Sequence, residues 1–123
     1  MQSFREILGA YGVDYDRTMA RFMGNEKFYL KILKRLPQDQ NLDGLGAALD
    51  KEDLAAAFEA AHTIKGLAGN LGLQSIYEVI SAMVEPLRAG EPREDYKIFY
   101  QTVCEEYRKV EHMRMELEQL DGF

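Results

Sequence analysis

The chain has 123 residues, of which 46% are apolar, and a formal net charge of −6 from 15 basic and 21 acidic residues. This size and composition are typical of a single globular domain with one hydrophobic core. No block of like charges is long enough to suggest a nucleic-acid-binding tail, and no apolar run approaches the roughly 18 residues that a membrane span requires.

Short helices are predicted in the first third of the chain. Ser3 can cap a first helix, and Asp14 or Asp16 can cap a second. The apolar residues of this second helix are Met19, Phe22 and Met23, and Gly24 is predicted to end it. A third helix is predicted after the N-cap residue Asn25, because apolar residues follow at helical spacing. These residues are Phe28, Tyr29, Ile32, Leu33 and Leu36.

Longer helices are predicted in the remainder of the chain. Pro37 predicts a break, because the residue before a proline disfavours helical angles. An apolar stripe then resumes, weakened by Gly44 and Gly46. Asp50 is predicted to cap the next helix, with Asp53 in its first turn.

The last two stripes complete an all-helical pattern. One runs from Leu73 to Leu87, with Pro86 predicted to end or kink it. The other runs from about Arg93 to a point near Asp121 and Gly122. No stretch alternates between apolar and polar residues, so no strand is predicted. Four long helical segments joined by short loops predict an antiparallel bundle.

One stretch, A-A-H-T-I-K-G-L-A-G-N-L-G at residues 60–72, carries an unusual set of residues on one helix face. Lys65, Gly66 and Gly69 follow His62 by three, four and seven positions, which places all four on the same face. Two glycines within a helix cost about 1 kcal/mol each relative to alanine. A helix that accepts this cost gains a patch without side chains, where another molecule can approach His62 closely. The other face is an ordinary buried stripe of Leu54, Ala57, Ala61, Ile64, Ala68 and Leu71.

This face could carry phosphoryl chemistry. Neutral imidazole is a good nucleophile near pH 7, since the reference pKa of histidine is about 6.5. Lys65 can place an ammonium group beside a phosphoryl group on His62, and Asn70 can contribute an amide donor. The residues suffice for a phosphoryl carrier without singling it out. A partly buried structural histidine is the alternative for His62, and for Phe58, one turn earlier, docking contact and partial core are both open.

The segment H-T-I-K-G-L-A-G-N-L-G resembles the signature of the histidine-containing phosphotransfer domains of bacterial multi-step phosphorelays. That pattern is a histidine, a lysine three residues on, an adjoining glycine, small residues and a further glycine. The matching positions are His62, Lys65, Gly66, Ala68, Gly69 and Gly72. Together with K-E-D-L-A-A-A-F-E-A-A-H and N-E-K-F-Y-L, the resemblance covers about residues 12–118 of a single domain spanning 1–123.

The resemblance implies both a fold and a function. The fold is an antiparallel four-helix bundle with short additional N-terminal helices. His62 is then the exposed acceptor of a phosphoryl group from a receiver-domain aspartyl phosphate, which it passes to another receiver domain, and Lys65 stabilises the transferred oxygens. The residues expected to contact the partner are Phe58, Glu59, Gly66, Gly69 and Asn70.

The same resemblance implies the partners and cofactors. Receiver domains are the expected partners, with a hybrid sensor histidine kinase as a further one. No cofactor is expected on this chain, because magnesium is held by the receiver. The departures from the family pattern, at Pro37, Gly44 and Gly46, leave open the length of the helix before His62. A complete small bundle favours a monomer.

Two other function classes fit the sequence less well than phosphoryl transfer. A helical module that binds or sequesters a receiver domain without being phosphorylated is the alternative. An enzyme is not favoured, since no G-x-x-x-x-G-K-[ST] loop is present. His112 is expected to be solvated, Cys104 is expected to be a small core residue, and neither has metal-ligand spacing to His62. A lone cysteine and the absence of a signal-peptide core predict a reduced cytoplasmic setting.

Overall fold

The computed structural model describes residues 2–120 and contains seven α-helices in that range. They are α1 Phe4–Ala10, α2 Tyr15–Ala20, α3 Glu26–Leu33, α4 Asn41–Asp50, α5 Leu54–Leu71, α6 Gln74–Arg88 and α7 Tyr96–Glu118. A 3-10 turn, Leu36–Gln38, separates α3 from α4. No strand is present within residues 2–120. The helix end predicted near Asp121 and Gly122 lies outside the described residues.

The last four helices form the bundle. Helix α4 packs on α5, α5 on α6, α6 on α7, and α7 returns to α4. Connections of three, two and seven residues join successive helices, and connections this short make sequence neighbours antiparallel. Helices α1 and α3 pack on α7. The all-α prediction of an antiparallel four-helix bundle with short additional N-terminal helices is confirmed.

The core is built from one apolar face of each bundle helix. In α5, the buried residues are Ala57, Ala60, Ala61, Ile64, Ala68 and Leu71. Small alanines on this face let α4 and α6 approach α5 closely, since a helix lined by methyl groups has little side-chain bulk to hold its neighbours away. The buried stripe also determines which face of α5 is left to solvent, and that face carries His62.

The predicted N-cap of α5 was wrong by three residues. Asp53 is the N-cap, and its carboxylate accepts a hydrogen bond from the backbone N–H of Ala56 at 3.1 Å. Asp50 is instead the last residue of α4. The chain reverses through Glu52, which has a φ of +56°, and the N–H of Asp53 donates to the carbonyl of Ala48 at 2.9 Å. Both carboxylates suit an N-cap, so only this turn decides between them.

Gly72 ends α5 in a conformation that fixes the residue type. Its φ is +71° and it is the C-cap residue of the helix. A Cβ at this position would lie 2.2 Å from Oγ1 of the buried Thr18 in α2. Gly72 is therefore required both by its left-handed backbone and by the close packing of α2 against the end of α5.

Two apolar residues of the N-terminal segment do not lie where their spacing predicted. Met23 is 95% exposed, because α2 ends at Ala20 and Met23 belongs to a turn in which its φ is +54°. Leu36 is buried as predicted but lies in the 3-10 turn beyond the end of α3. Helical periodicity continues in the sequence past the residues that form each helix.

The two prolines predicted to interrupt helices behave differently. Pro37 lies in the 3-10 turn, so the predicted break is confirmed. Pro86 lies inside α6, which continues to Arg88. A proline removes one backbone donor, and near the end of the helix the backbone N–H of Ala89 still bonds to the Glu85 carbonyl at 3.0 Å. Helix α7 begins at Tyr96 rather than near Arg93.

A buried tyrosine joins α3 to the end of α5. Tyr29 is fully buried, and its hydroxyl donates to the backbone carbonyl of Leu71 at 2.8 Å. Burial also raises the pKa of this hydroxyl. The carbonyl belongs to the last turn of α5, where no intrahelical donor is available.

We expect Tyr29→Phe to lower the free energy of unfolding by about 1 kcal/mol, because a buried acceptor loses its partner. Urea denaturation checks this. Tyr77→Phe is the control, since the Tyr77 hydroxyl has no hydrogen bond to any residue between 2 and 120. An equal loss in both variants would show that the bond to Leu71 contributes nothing particular.

Candidate functional site

His62 stands on the solvent face of α5. The residue is exposed, whereas its neighbours Ala61 and Ile64 are fully buried. Its imidazole ring makes no hydrogen bond or ion pair with another residue in the 2–120 range. The alternative left open by the sequence was a partly buried histidine that bonds to a neighbouring residue. The exposed ring of His62 does not match it. Both ring edges remain available for chemistry with an external group.

An aromatic contact orients the ring from one turn earlier. Phe58 is half-buried against the core and stacks on His62, with ring centroids 5.5 Å apart and an interplanar angle of 17°. The guanidinium of Arg88, in α6, lies 4.9 Å from the Phe58 ring centroid. Of the two roles that the sequence left open for Phe58, partial core packing is confirmed. Its ring also forms part of the surface beside His62, and a docking contact there stays a prediction.

Lys65 lies on the same side of α5 as His62. Its side chain is half-buried, and its Nζ lies 5.7 Å from the centroid of the Tyr77 ring in α6. At this distance the ring attracts the ammonium group by a cation–π interaction. No carboxylate of the described chain forms an ion pair with Lys65. Its positive charge is therefore held near His62 without being neutralised.

An open hollow brings the predicted residues together. Within the described chain, its lining consists of Arg21, His62, Lys65, Gly66, Gly69, Asn70 and Tyr77. None of these carries a carboxylate, and two carry a full positive charge. Lys65, Gly66, Gly69 and Asn70 therefore share one surface with His62, as the sequence predicted. Glu59 is exposed on the preceding turn of α5, and Phe58 reaches the site through its contact with the His62 ring.

The two glycines of the hollow differ in what surrounds them. A Cβ on Gly66 would meet nothing within 4 Å, so no part of the fold excludes a side chain there. A Cβ on Gly69 would lie 3.3 Å from the Tyr77 ring. Gly69 therefore contributes to the close packing of α5 and α6, whereas Gly66 has no packing reason to be glycine. The open space at Gly66 lies one helical turn from His62.

Two residues of the hollow were not predicted from the sequence. Arg21 follows α2, and its Nε donates to the backbone carbonyl of Asn70 at 3.0 Å. Tyr77 comes from the first turn of α6, and its ring faces the Lys65 ammonium at 5.7 Å and would lie 3.3 Å from a Cβ on Gly69. Nothing near Arg21 in the sequence marks it as a site residue. Its role depends on α2 packing at the end of α5, which local patterns do not encode.

The two residues outside the hollow differ in how they match their predicted surroundings. His112 is exposed, as predicted. Cys104 was predicted to be a core residue, but it is only half-buried in α7. Between residues 2 and 120 no group of three or more His, Cys, Asp or Glu side chains is placed to hold a metal ion. No helix in that range is both long enough and apolar enough to cross a bilayer.

The arrangement is suited to an anionic group at His62. An unengaged imidazole supplies a nucleophile, and the Lys65 ammonium supplies charge that can stabilise oxygens on the electrophile. The free space above Gly66 allows a large partner to bring that electrophile to the ring. The site is open and shallow.

The family model of the Hpt domain matches residues 37–123, more than two thirds of the chain. Searches of curated proteins and of solved structures returned no significant match. The matched segment contains α4 to α7 and the whole signature around His62. The chain therefore belongs to the Hpt domain family, whose members are helical phosphocarriers rather than enzymes.

Proposed function

We propose that this chain is a phosphorelay intermediate. His62 accepts a phosphoryl group from the aspartyl phosphate of one receiver domain and passes it to the aspartate of another. The observation that carries the proposal is the exposed, unengaged His62 ring beside the uncompensated charge of Lys65, in a chain that belongs to the Hpt family.

The transfer follows from the groups present. The unprotonated ring nitrogen of His62 attacks the phosphorus in line, a P–N bond forms, and the P–O bond to the receiver aspartate breaks. The electron pair of that bond returns to the aspartate as a carboxylate. Lys65 stabilises the three oxygens of the moving group. The reverse sequence, with a second receiver aspartate as nucleophile, unloads His62.

The remaining residues of the site are assigned to positioning and docking. Phe58 orients the imidazole through the stacked contact, and Glu59, Gly69 and Asn70 lie where the receiver surface approaches α5. Gly66 leaves open space beside the imidazole ring, through which the aspartyl phosphate of the receiver can reach His62. Magnesium, which receivers bind through carboxylates, stays on the receiver, and this chain uses no cofactor of its own. It acts without independent turnover as a cytoplasmic monomer.

The proposal is tested with receiver domains from the same source. Each receiver is charged from a radiolabelled acyl phosphate donor, separated from that donor and mixed with the chain in a single turnover. We expect label on the chain that survives alkali and is lost in acid, as phosphohistidine requires and phosphoserine does not. Receiver binding with no label on the chain from any receiver would contradict the proposal and favour a module that only sequesters receivers.

A further inference from the structure

The hollow around His62 continues toward the N-terminal helices. A second hollow adjoins it and shares Arg21, Gly69 and Tyr77 with the first. The second one extends past Gly72 to Arg17 of α2 and to the turn between α1 and α2. One continuous surface therefore runs from the reacting imidazole along α5 to α2.

Arg21 lines both hollows, and its positive charge is not paired with a carboxylate of the described residues. Its Nε is fixed by the Asn70 carbonyl at 3.0 Å, which holds the guanidinium at the end of α5. No carboxylate within residues 2–120 forms an ion pair with it. Arg5, in the neighbouring α1, is by contrast paired with Asp16 through two hydrogen bonds of 2.7 and 3.2 Å.

The charge of this surface is opposite to that of the chain. Arg17, Arg21 and Lys65 line the two hollows, and Asp14 is the one carboxylate among the described lining residues. Asp14 is engaged at the start of α2, where it accepts a hydrogen bond from the Arg17 backbone N–H at 3.1 Å. A locally positive surface on a chain of net charge −6 suits an anionic partner.

Arg21 also lies within reach of the partner that delivers the phosphoryl group. Asn70, to which it is bonded, is eight residues beyond His62 in α5, and eight residues of α-helix span about 12 Å. A standard interface covers about 800 Å² on each partner, which is a disc of about 16 Å radius. A receiver centred on His62 therefore covers Arg21 as well.

We propose that Arg21 is a docking residue that selects receiver domains carrying carboxylates beside the phosphorylated aspartate. This inference rests on the function proposed above. Every receiver is expected to hold magnesium through carboxylates, so the carboxylates that Arg21 discriminates are additional ones, on the receiver surface that faces α2. Arg21 precedes the segment matched by the family model, residues 37–123, so the family match assigns it no role.

The test measures single-turnover transfer from a charged receiver over a range of receiver concentrations at low ionic strength. Arg21→Glu is expected to lower the second-order rate constant about tenfold, with the rate at saturating receiver changed less than about twofold, because a charge at the edge of an interface acts on association. The deficit shrinks in about 1 M salt, where the Debye length is about 3 Å. Arg21→Lys restores most of the rate.

Two controls separate docking from other effects. Arg108→Glu makes the same change of charge on α7, beside a hollow that none of the His62 site residues lines, and is expected to transfer at the wild-type rate. Phosphoramidate, a small donor that needs no docking surface, is expected to label the Arg21→Glu and wild-type chains equally. Arg17 lines the same surface, and its side chain makes no hydrogen bond to α5. Arg17→Glu is therefore expected to fold, and to lower the second-order rate constant by less than Arg21→Glu does. If Arg21→Glu fails to fold, a normal rate in Arg17→Glu counts against docking through this surface.

Each result has one meaning. Equal receiver-dependent rates in Arg21→Glu and Arg108→Glu, or a deficit that persists with phosphoramidate, would overturn the assignment of Arg21. A wild-type chain that takes no label from any receiver would instead refute the relay function itself. The two failures are therefore distinguishable.

Discussion

Replacement of His62 by glutamine is expected to abolish phosphoryl transfer while leaving the free energy of unfolding within about 0.5 kcal/mol of the wild type. Glutamine lacks a nucleophilic ring nitrogen, so no P–N bond can form. The side chain is exposed and makes no hydrogen bond to the described chain, so the fold loses only its stacked contact with Phe58. Transfer from a charged receiver and chemical denaturation measure the two effects.

The second histidine provides a matched control. His112 is also exposed on a helix, and His112→Gln removes the same chemical group away from the hollow. We expect this variant to transfer normally and unfold normally. Residual transfer in His62→Gln, or a loss of transfer in His112→Gln, would mean that the acceptor had been assigned to the wrong residue.

Gly66→Leu is expected to make the chain more stable and much less active. A Cβ at this position meets nothing within 4 Å, and leucine favours a helix over glycine by up to about 1 kcal/mol. The same side chain fills the space through which a receiver reaches His62. We expect a fall of about a hundredfold in the second-order rate of transfer, equivalent to about 2.7 kcal/mol, the scale of a lost interface hot spot.

Gly44→Leu is the control that separates the predicted gain in stability from the predicted loss of transfer. Gly44 lies inside α4 and, like Gly66, leaves open space where a Cβ would stand, with nothing within 4 Å. We expect a similar gain in stability with unchanged transfer. If Gly66→Leu transferred as fast as Gly44→Leu, the receiver could not approach over Gly66, and the docking geometry proposed above would be wrong.

The bundle was predictable because its apolar stripes are long and regular. The stripes of α5 and α6 each extend over at least four helical turns, so a few irregular residues do not obscure them. Helix ends were less predictable. Asp50 and Asp53 are equally suited to an N-cap, and the choice depends on the Glu52 turn. Met23 continued the periodicity of α2 but lies beyond the end of that helix.

The site was predictable where it is local in sequence. His62, Lys65 and Gly66 lie within two turns of one helix, so their spacing alone places them together. Arg21 and Asn70 are 49 residues apart and meet only through the packing of α2 on the end of α5. Tyr77 likewise depends on the approach of α6. Tertiary contacts of this kind have no signature in a single sequence.

The most direct test of the account is to locate the phosphoryl group after transfer. The chain is loaded from a charged receiver, digested under alkaline conditions that preserve phosphohistidine, and sequenced by mass spectrometry with a fragmentation method that retains the P–N bond. We predict a single modified residue, His62. A phosphoryl group on His112 or on a hydroxyl-bearing residue, with His62 unmodified, would contradict the account.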